Sequence, residues 1–190
     1  MARCLVLLPL CLPLLTHCAH REVASASEAS GSSAPAKVAA RLATVQLLPL
    51  GNSGVTGSVT LVEMADGGVR LEGKVHALIP EGLHGFHAHE VGDCHSIDGA
   101  SAGGHFNPSK QPHGDPATSH SHVGDFGNIV SNSAGEADIF TVKKEATLGD
   151  GPNSLIGRSL IVHAGHDDLG SQPAGNAGGR VACGVIRLSK

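Results

Sequence analysis

Gly57-Ser58-Val59-Thr60-Leu61-Val62-Glu63, then Ala65-Asp66-Gly67-Gly68, then Val69-Arg70-Leu71-Glu72-Gly73-Lys74-Val75-His76-Ala77 is the stretch that decides the fold class. Alternate residues of a strand point to opposite faces, so Val69, Leu71 and Val75 share one side while Arg70, Glu72 and Lys74 share the other. The Asp-Gly-Gly turn between the two alternating runs predicts a hairpin. The same period of two extends outward in both directions. Val38 to Leu47 precedes the hairpin; His84–Glu90, Gly127–Ser131, Glu136–Val142, Ser159–Ala164 and Arg180–Leu188 follow it. Eight strands result, with no amphipathic helix to compete. An all-β antiparallel sandwich or flattened barrel is expected.

Composition agrees. Gly is abundant at 26 residues, and the chain has four Phe but no Trp or Tyr, so tight turns and an aliphatic core are expected. The net charge of −4 gives no electrostatic case for nucleic acid. Two connections are too long for an economical barrel. Residues 91–123 and 165–179 both reach or exceed the ~12–15 residues beyond which a structureless loop usually carries function.

The first residues read as an export signal. Arg3 precedes the apolar Leu5 to Leu15, which is too short to span a bilayer. Two processing sites remain open: cleavage after Ala24-Ser25-Ala26, or a lipoprotein-type site at Leu15-Thr16-His17-Cys18 that leaves a lipid anchor on Cys18. The expected division is a signal peptide at 1–26, a Ser/Ala-rich tether at 27–40 and one domain at 41–190. The destination is the periplasm or cell envelope, as a free protein or a lipoprotein. Of five cysteines, Cys4 and Cys11 lie in the leader and Cys18 at its boundary. Cys94 and Cys183 remain for the domain, in a compartment where a disulfide persists.

Thirteen histidines equal the thirteen Lys plus Arg, and most fall between His76 and His122, a density that asks for a metal. His87-Ala88-His89 places two imidazoles on one face of a strand. His105, His113, His122 and Asp125 offer three imidazoles and a carboxylate, a complete tetrahedral zinc set that would order a long loop. His163 ends an apolar strand; with His87, His89 and one shared imidazole it completes a four-nitrogen set of the kind copper(II) prefers. His84 reads as a barrel-end histidine satisfied by backbone, and His76, His95 and His166 as solvated. His120 competes with His122, which is favoured by its Val-Gly-Asp continuation.

Four segments together resemble the copper/zinc superoxide dismutase family: His84-Gly85-Phe86-His87-Ala88-His89-Glu90, Gly104-His105-Phe106-Asn107-Pro108, His122-Val123-Gly124-Asp125, and Gly175 to Ile186 with Arg180 and Cys183. The resemblance implies an eight-stranded Greek-key barrel that dismutes superoxide to oxygen and hydrogen peroxide. It implies copper on His87, His89, His105 and His163, and zinc on His105, His113, His122 and Asp125, with His105 as the bridge that also passes a proton to product. Asp167 corresponds to the carboxylate linking the two sets, Arg180 to the arginine that docks the anion, and Cys94 and Cys183 to the intrasubunit disulfide. The early Cys94 and the short loop after Gly170, without Lys or Glu, resemble exported bacterial members. A homodimer is left open. A copper carrier would be expected to lose copper ligands or the arginine, and an adhesion domain gives no reason for the histidines.

Overall fold

The computed structural model describes residues 40–189. The predicted leader, Cys18, and all of the predicted tether except Ala40 lie outside the described residues. Nine strands appear in chain order: β1 (Leu42–Pro49), β2 (Thr56–Glu63), β3 (Val69–His76), β4 (Gly82–His89), β5 (Asp125–Ser131), β6 (Ala137–Lys143), β7 (Ser159–His163), β8 (Arg180–Val185) and β9 (Arg187–Leu188). A 3-10 turn at Ala100–Ala102 is the only helical element among the described residues.

Hydrogen bonding runs in the order β2-β3-β6-β5-β4-β7-β8-β1, and β1 also pairs with β2, so eight strands close on themselves and leave few free edges. All these pairs are antiparallel. β3 connects to β4 past β6 and β5, and β6 connects to β7 past β5 and β4; these two crossovers make the barrel a Greek key. The predicted final strand is broken. Ile186 turns inward, is fully buried and donates its N–H to Arg158, so β9 leaves β8 and pairs with β1 alone. At the end of β3, Ala77 adopts φ 59°, which stops the strand one residue before the predicted end.

The hairpin pattern pairs as read, with Leu61 opposite Leu71 and Val59 opposite Gly73. Val45, Val59, Leu61, Leu71, Val75, Ile139, Leu160 and Val162 fill the barrel with aliphatic carbon, and Phe86 and Phe126 are its aromatic pair, centroids 5.6 Å apart. β1 alternates exposed and buried as a half-solvated strand should. β4 and β7 do not: His84 to His89 and all of β7 are buried without alternation. Both faces of these two strands are therefore covered. The inner face meets the core, and the outer face lies under the two long connections.

Those connections join strands that are already hydrogen-bonded neighbours, β4 to β5 and β7 to β8, so topology does not require their length. The first is pinned to the end of β4. His105 bridges His89, Phe106 N–H donates to Ala88 O at 2.8 Å, and Ala88 N–H donates to Gly124 O at 2.8 Å. A Cβ on Gly124 would fall 2.3 Å from Ala88 O, so only glycine permits this approach. A small second apolar cluster of Leu50, Ala102, Ile161 and Cys183 lies apart from the barrel core, with Cys94 packed against it.

Candidate metal centre

Period two sends Ala88 into the core and His87 and His89 outward beneath the connections. On β7 the same rule sends Val162 inward and His163 outward. A shift in the β4–β5 register between Gly85 and His87 sets His87 opposite Asp125, the first residue of β5. The connection then brings in His105, His113 and His122. Two clusters result, His87–His89–His105–His163 and His105–His113–His122–Asp125, each with its ligand atoms within 4.8 Å of one another. His105 belongs to both. All seven residues are buried.

His105 turns both nitrogens into clusters; each of the other five rings turns one, and four of these have the other nitrogen held by an acceptor. His89 Nδ1–H donates to Gly103 O at 3.0 Å and His163 Nδ1–H to Gly178 O at 3.2 Å, which leaves both Nε2 lone pairs free. His87 Nε2–H donates to Asp167 Oδ2 at 2.7 Å and His113 Nε2–H to Asp167 Oδ1 at 2.9 Å, which leaves both Nδ1 free. Asp167 thereby ties one cluster to the other. Six buried ring nitrogens have no hydrogen-bond partner: His87 Nδ1, His89 Nε2, His105 Nε2, His113 Nδ1, His122 Nδ1 and His163 Nε2. Burying six polar atoms unpaired costs too much to be neutral, so the arrangement fits metal cations as their partners.

The donor chemistry fits in detail. Asp125 Oδ1 lies 2.9 Å from His105 Nδ1, 3.1 Å from His113 Nδ1 and 3.2 Å from His122 Nδ1. A tetrahedron with metal–ligand bonds of about 2.0 Å has edges of about 3.3 Å, so these separations suit zinc. Asp125 Oδ2 faces away and accepts from His122 N–H at 2.9 Å and Gly114 N–H at 3.2 Å. The other cluster is four imidazoles with no carboxylate, a set suited to copper.

Electrostatics separates the clusters. Burial drives the imidazoles of His89, His163 and His105 down to about 2, 3 and 4, keeping them neutral and ready to ligate. Burial also pushes His113 down, but the adjacent Asp125 and Asp167 carboxylates outweigh it and raise that ring to about 9. Asp125 and Asp167 are raised by burial, yet their histidine partners hold both well below the usual carboxylate range.

The tetra-histidine side opens on a cleft of about 410 Å³ lined by His89, His105, His163 and Arg180. Arg180 donates through Nη1 to Gly99 O and through Nη2 to Gly103 O at 2.7 Å. The loop carrying those carbonyls is tied to β8 by the Cys94–Cys183 disulfide, Cα–Cα 5.7 Å. His84 is buried between His163 O and Pro80 O, each 3.0 Å from a ring nitrogen, while His76, His95, His120 and His166 are exposed.

Three residues that shape the site were not singled out by sequence reasoning. Asn128 on β5 brackets the Asp167 backbone, donating to its O and accepting from its N–H, both at 2.8 Å. Gln172 clamps His113 likewise, accepting from its N–H and donating to its O at 2.9 Å. Gly175, at φ 65°, has no room for a side chain: a Cβ would lie 1.8 Å from Asp167 Oδ1. Gly175 left a trace as part of a glycine-rich segment, and Gln172 only as a member of the short loop after Gly170. Asn128 and Gln172 sit where polar residues are ordinary.

Residues 55–186 match the family described as copper/zinc superoxide dismutase (SODC). Among curated relatives, the extracellular superoxide dismutase [Cu-Zn] of Brugia pahangi is 44% identical over 155 residues, covering 76% of this chain and 75% of the relative. Among solved structures, the clock protein EA4 superposes with a TM-score of 0.70 at 37% identity, covering 78% of this chain and 94% of that one.

Proposed function

The chain belongs to the copper/zinc superoxide dismutase family, and on that premise we propose that copper is held by His87, His89, His105 and His163 and zinc by His105, His113, His122 and Asp125. The protein is an oxidoreductase that dismutes superoxide, and its cofactors are copper and zinc. The observation that carries the assignment is the set of six unpartnered ring nitrogens, converging while acceptors hold the opposite nitrogens of four rings.

Bound copper supplies the one-electron exchange by which one superoxide leaves as oxygen and a second as peroxide. The chain's own residues dock the anion, keep the rings in register and deliver a proton. Arg180 spends two of its five N–H groups on Gly99 and Gly103, which fixes the guanidinium at the cleft and leaves the others for the anion. His105 faces one cluster through Nε2 and the other through Nδ1. Its Nε2 is the nitrogen on the cleft side able to hold a proton and pass it to the product. The zinc-side contacts at Nδ1 keep the ring from turning away. His113 and His87 stay oriented through Asp167, which is anchored by Asn128. An extracellular relative and the disulfide support export. The periplasm or cell envelope is the proposed destination.

The test is metal analysis of the purified protein combined with superoxide consumption. About one copper and one zinc per chain and a fast second-order reaction are expected. Both metals bound with no superoxide consumed would overturn the assignment of the copper set to catalysis.

A further inference from the structure

Lys143 breaks the pattern of its strand. Along β6 the buried positions are Ala137 and Ile139 on the core side, and Lys143 continues that buried series at the strand's end. Its side chain is 2% exposed. Burying an ammonium is costly unless its N–H groups are bonded. Lys143 Nζ donates to Ser121 Oγ at 2.7 Å, and the half-exposed Glu145 carboxylate lies 3.8 Å away.

Ser121 is itself nearly buried and precedes His122 directly. His122 N–H donates to Asp125 Oδ2, and its ring Nδ1 stands 3.2 Å from Asp125 Oδ1. Among the described residues, the Ser121 hydroxyl finds its hydrogen bonds in Ser121–Lys143 alone. Gly114 N–H is held by Asp125 Oδ2, but between Gly114 and His122 this contact is the segment's one hydrogen bond to a barrel strand among the described residues, whereas the segment after His122 is fixed by the Gly124 backbone bonds.

We infer that Lys143 is a positioning residue for the zinc cluster, holding Ser121 from the barrel side and so fixing the approach of His122. The inference rests on zinc occupying the His105–His113–His122–Asp125 cluster. A polar group one bond removed from a ligand's own partner acts more weakly than that partner, for which ~10–100-fold losses are usual.

The experiment follows metal release from the holoenzyme into a colorimetric zinc chelator, with copper tracked in the same samples. Lys143→Met and Ser121→Ala are each expected to speed zinc release by about 3- to 10-fold, with copper release unchanged. Ser121→Thr, which keeps the hydroxyl, is expected to retain slow release. The double variant is expected to be no faster than either single one, since both remove the same contact. Cobalt(II) loaded in place of zinc should show altered visible bands in Lys143→Met. Zinc release at the wild-type rate from both single variants would overturn the inference. So would equal acceleration of both metals, which marks general loosening of the barrel. Should Lys143→Met fail to fold, the Ser121→Ala and Ser121→Thr pair decides alone. A wild-type protein that takes up no zinc would instead overturn the site assignment beneath the inference.

Discussion

Replacing Asp167 with Asn should damage the copper side more than the zinc side, although Asp167 lies outside both clusters. The carboxylate accepts three hydrogen bonds. Oδ1 takes His113 Nε2–H at 2.9 Å and Leu169 N–H at 2.8 Å, while Oδ2 takes His87 Nε2–H at 2.7 Å. An asparagine has one accepting oxygen and one donating NH₂. The orientation that satisfies more donors puts the oxygen at the Oδ1 position, facing His113 and Leu169. The NH₂ then meets the His87 N–H, donor against donor. His87 must either swing away or move its proton to Nδ1, the nitrogen turned into the tetra-histidine cluster. Either response removes a ligand. Losing such a partner costs ~10–100-fold in affinity, about 1.4–2.7 kcal/mol, and that loss should fall on copper. Loss of the negative charge weakens both metals, so the ratio of the two effects carries the information. Graded dialysis against a chelator, with both metals counted by mass spectrometry, reads it. Preferential loss of zinc with copper retained would refute the reasoning.

Asp125→Asn should weaken zinc far more than copper, and His163→Ala the reverse; metal counts after dialysis check both, and equal losses would undo the two-site assignment. Arg180→Glu should keep both metals yet sharply lower the superoxide rate and weaken or reverse its salt dependence, since attraction at the cleft is screened over ~10 Å at 0.1 M salt. Stopped-flow rates across ionic strength measure this, and wild-type rates at low salt would dismiss the docking role. Cys94→Ser with Cys183→Ser opens a linkage across 89 residues and should cost about 4–5 kcal/mol in the chain-entropy account, seen as a lower denaturant midpoint. The mature chain should begin at Ser27 or at a lipidated Cys18, decided by the intact mass of the exported protein.

The hairpin from Gly57 to Ala77 was legible because its two faces meet water and core, so burial imposes an alternation that the sequence must carry. β4 was legible for another reason. Both its faces are buried and its alternation is lost, but imidazoles at His87 and His89 mark the outer face as surely as charges would. The cluster members in the connections were legible by residue type, through the family resemblance. The contacts that hold them were not. Asn128 and Gln172 act through backbone groups of residues far along the chain, and a polar side chain on a strand or turn carries no sign of its distant partner. The break at Ile186 was hidden too, because an isoleucine fits a continuous strand as well as a turn into the core.

Gly103 shows why the connection after β4 has to be tied at its start. Its carbonyl accepts from His89 Nδ1 at 3.0 Å and from Arg180 Nη2 at 2.7 Å, one oxygen serving a metal-cluster ring and the Arg180 guanidinium together. Its φ of 74° and the Glu90 side chain, 2.6 Å from where a Cβ would sit, leave room for glycine only. A backbone carbonyl has no rotamer of its own, so its aim depends on how firmly the loop is held. On one side the loop is pinned by the His89–His105 bridge and Glu90 N–H to Gly104 O. On the other it is pinned by Cys94 to Cys183, three residues beyond Arg180 on β8. Cutting the disulfide frees the Gly99 carbonyl relative to Arg180, while Val91 N–H to Ala102 O, Glu90 N–H to Gly104 O and the bridge still restrain Gly103 and His89. The reduced protein should therefore lose rate before it loses copper. Copper lost first would mean that the bridge, and not the disulfide, holds this loop.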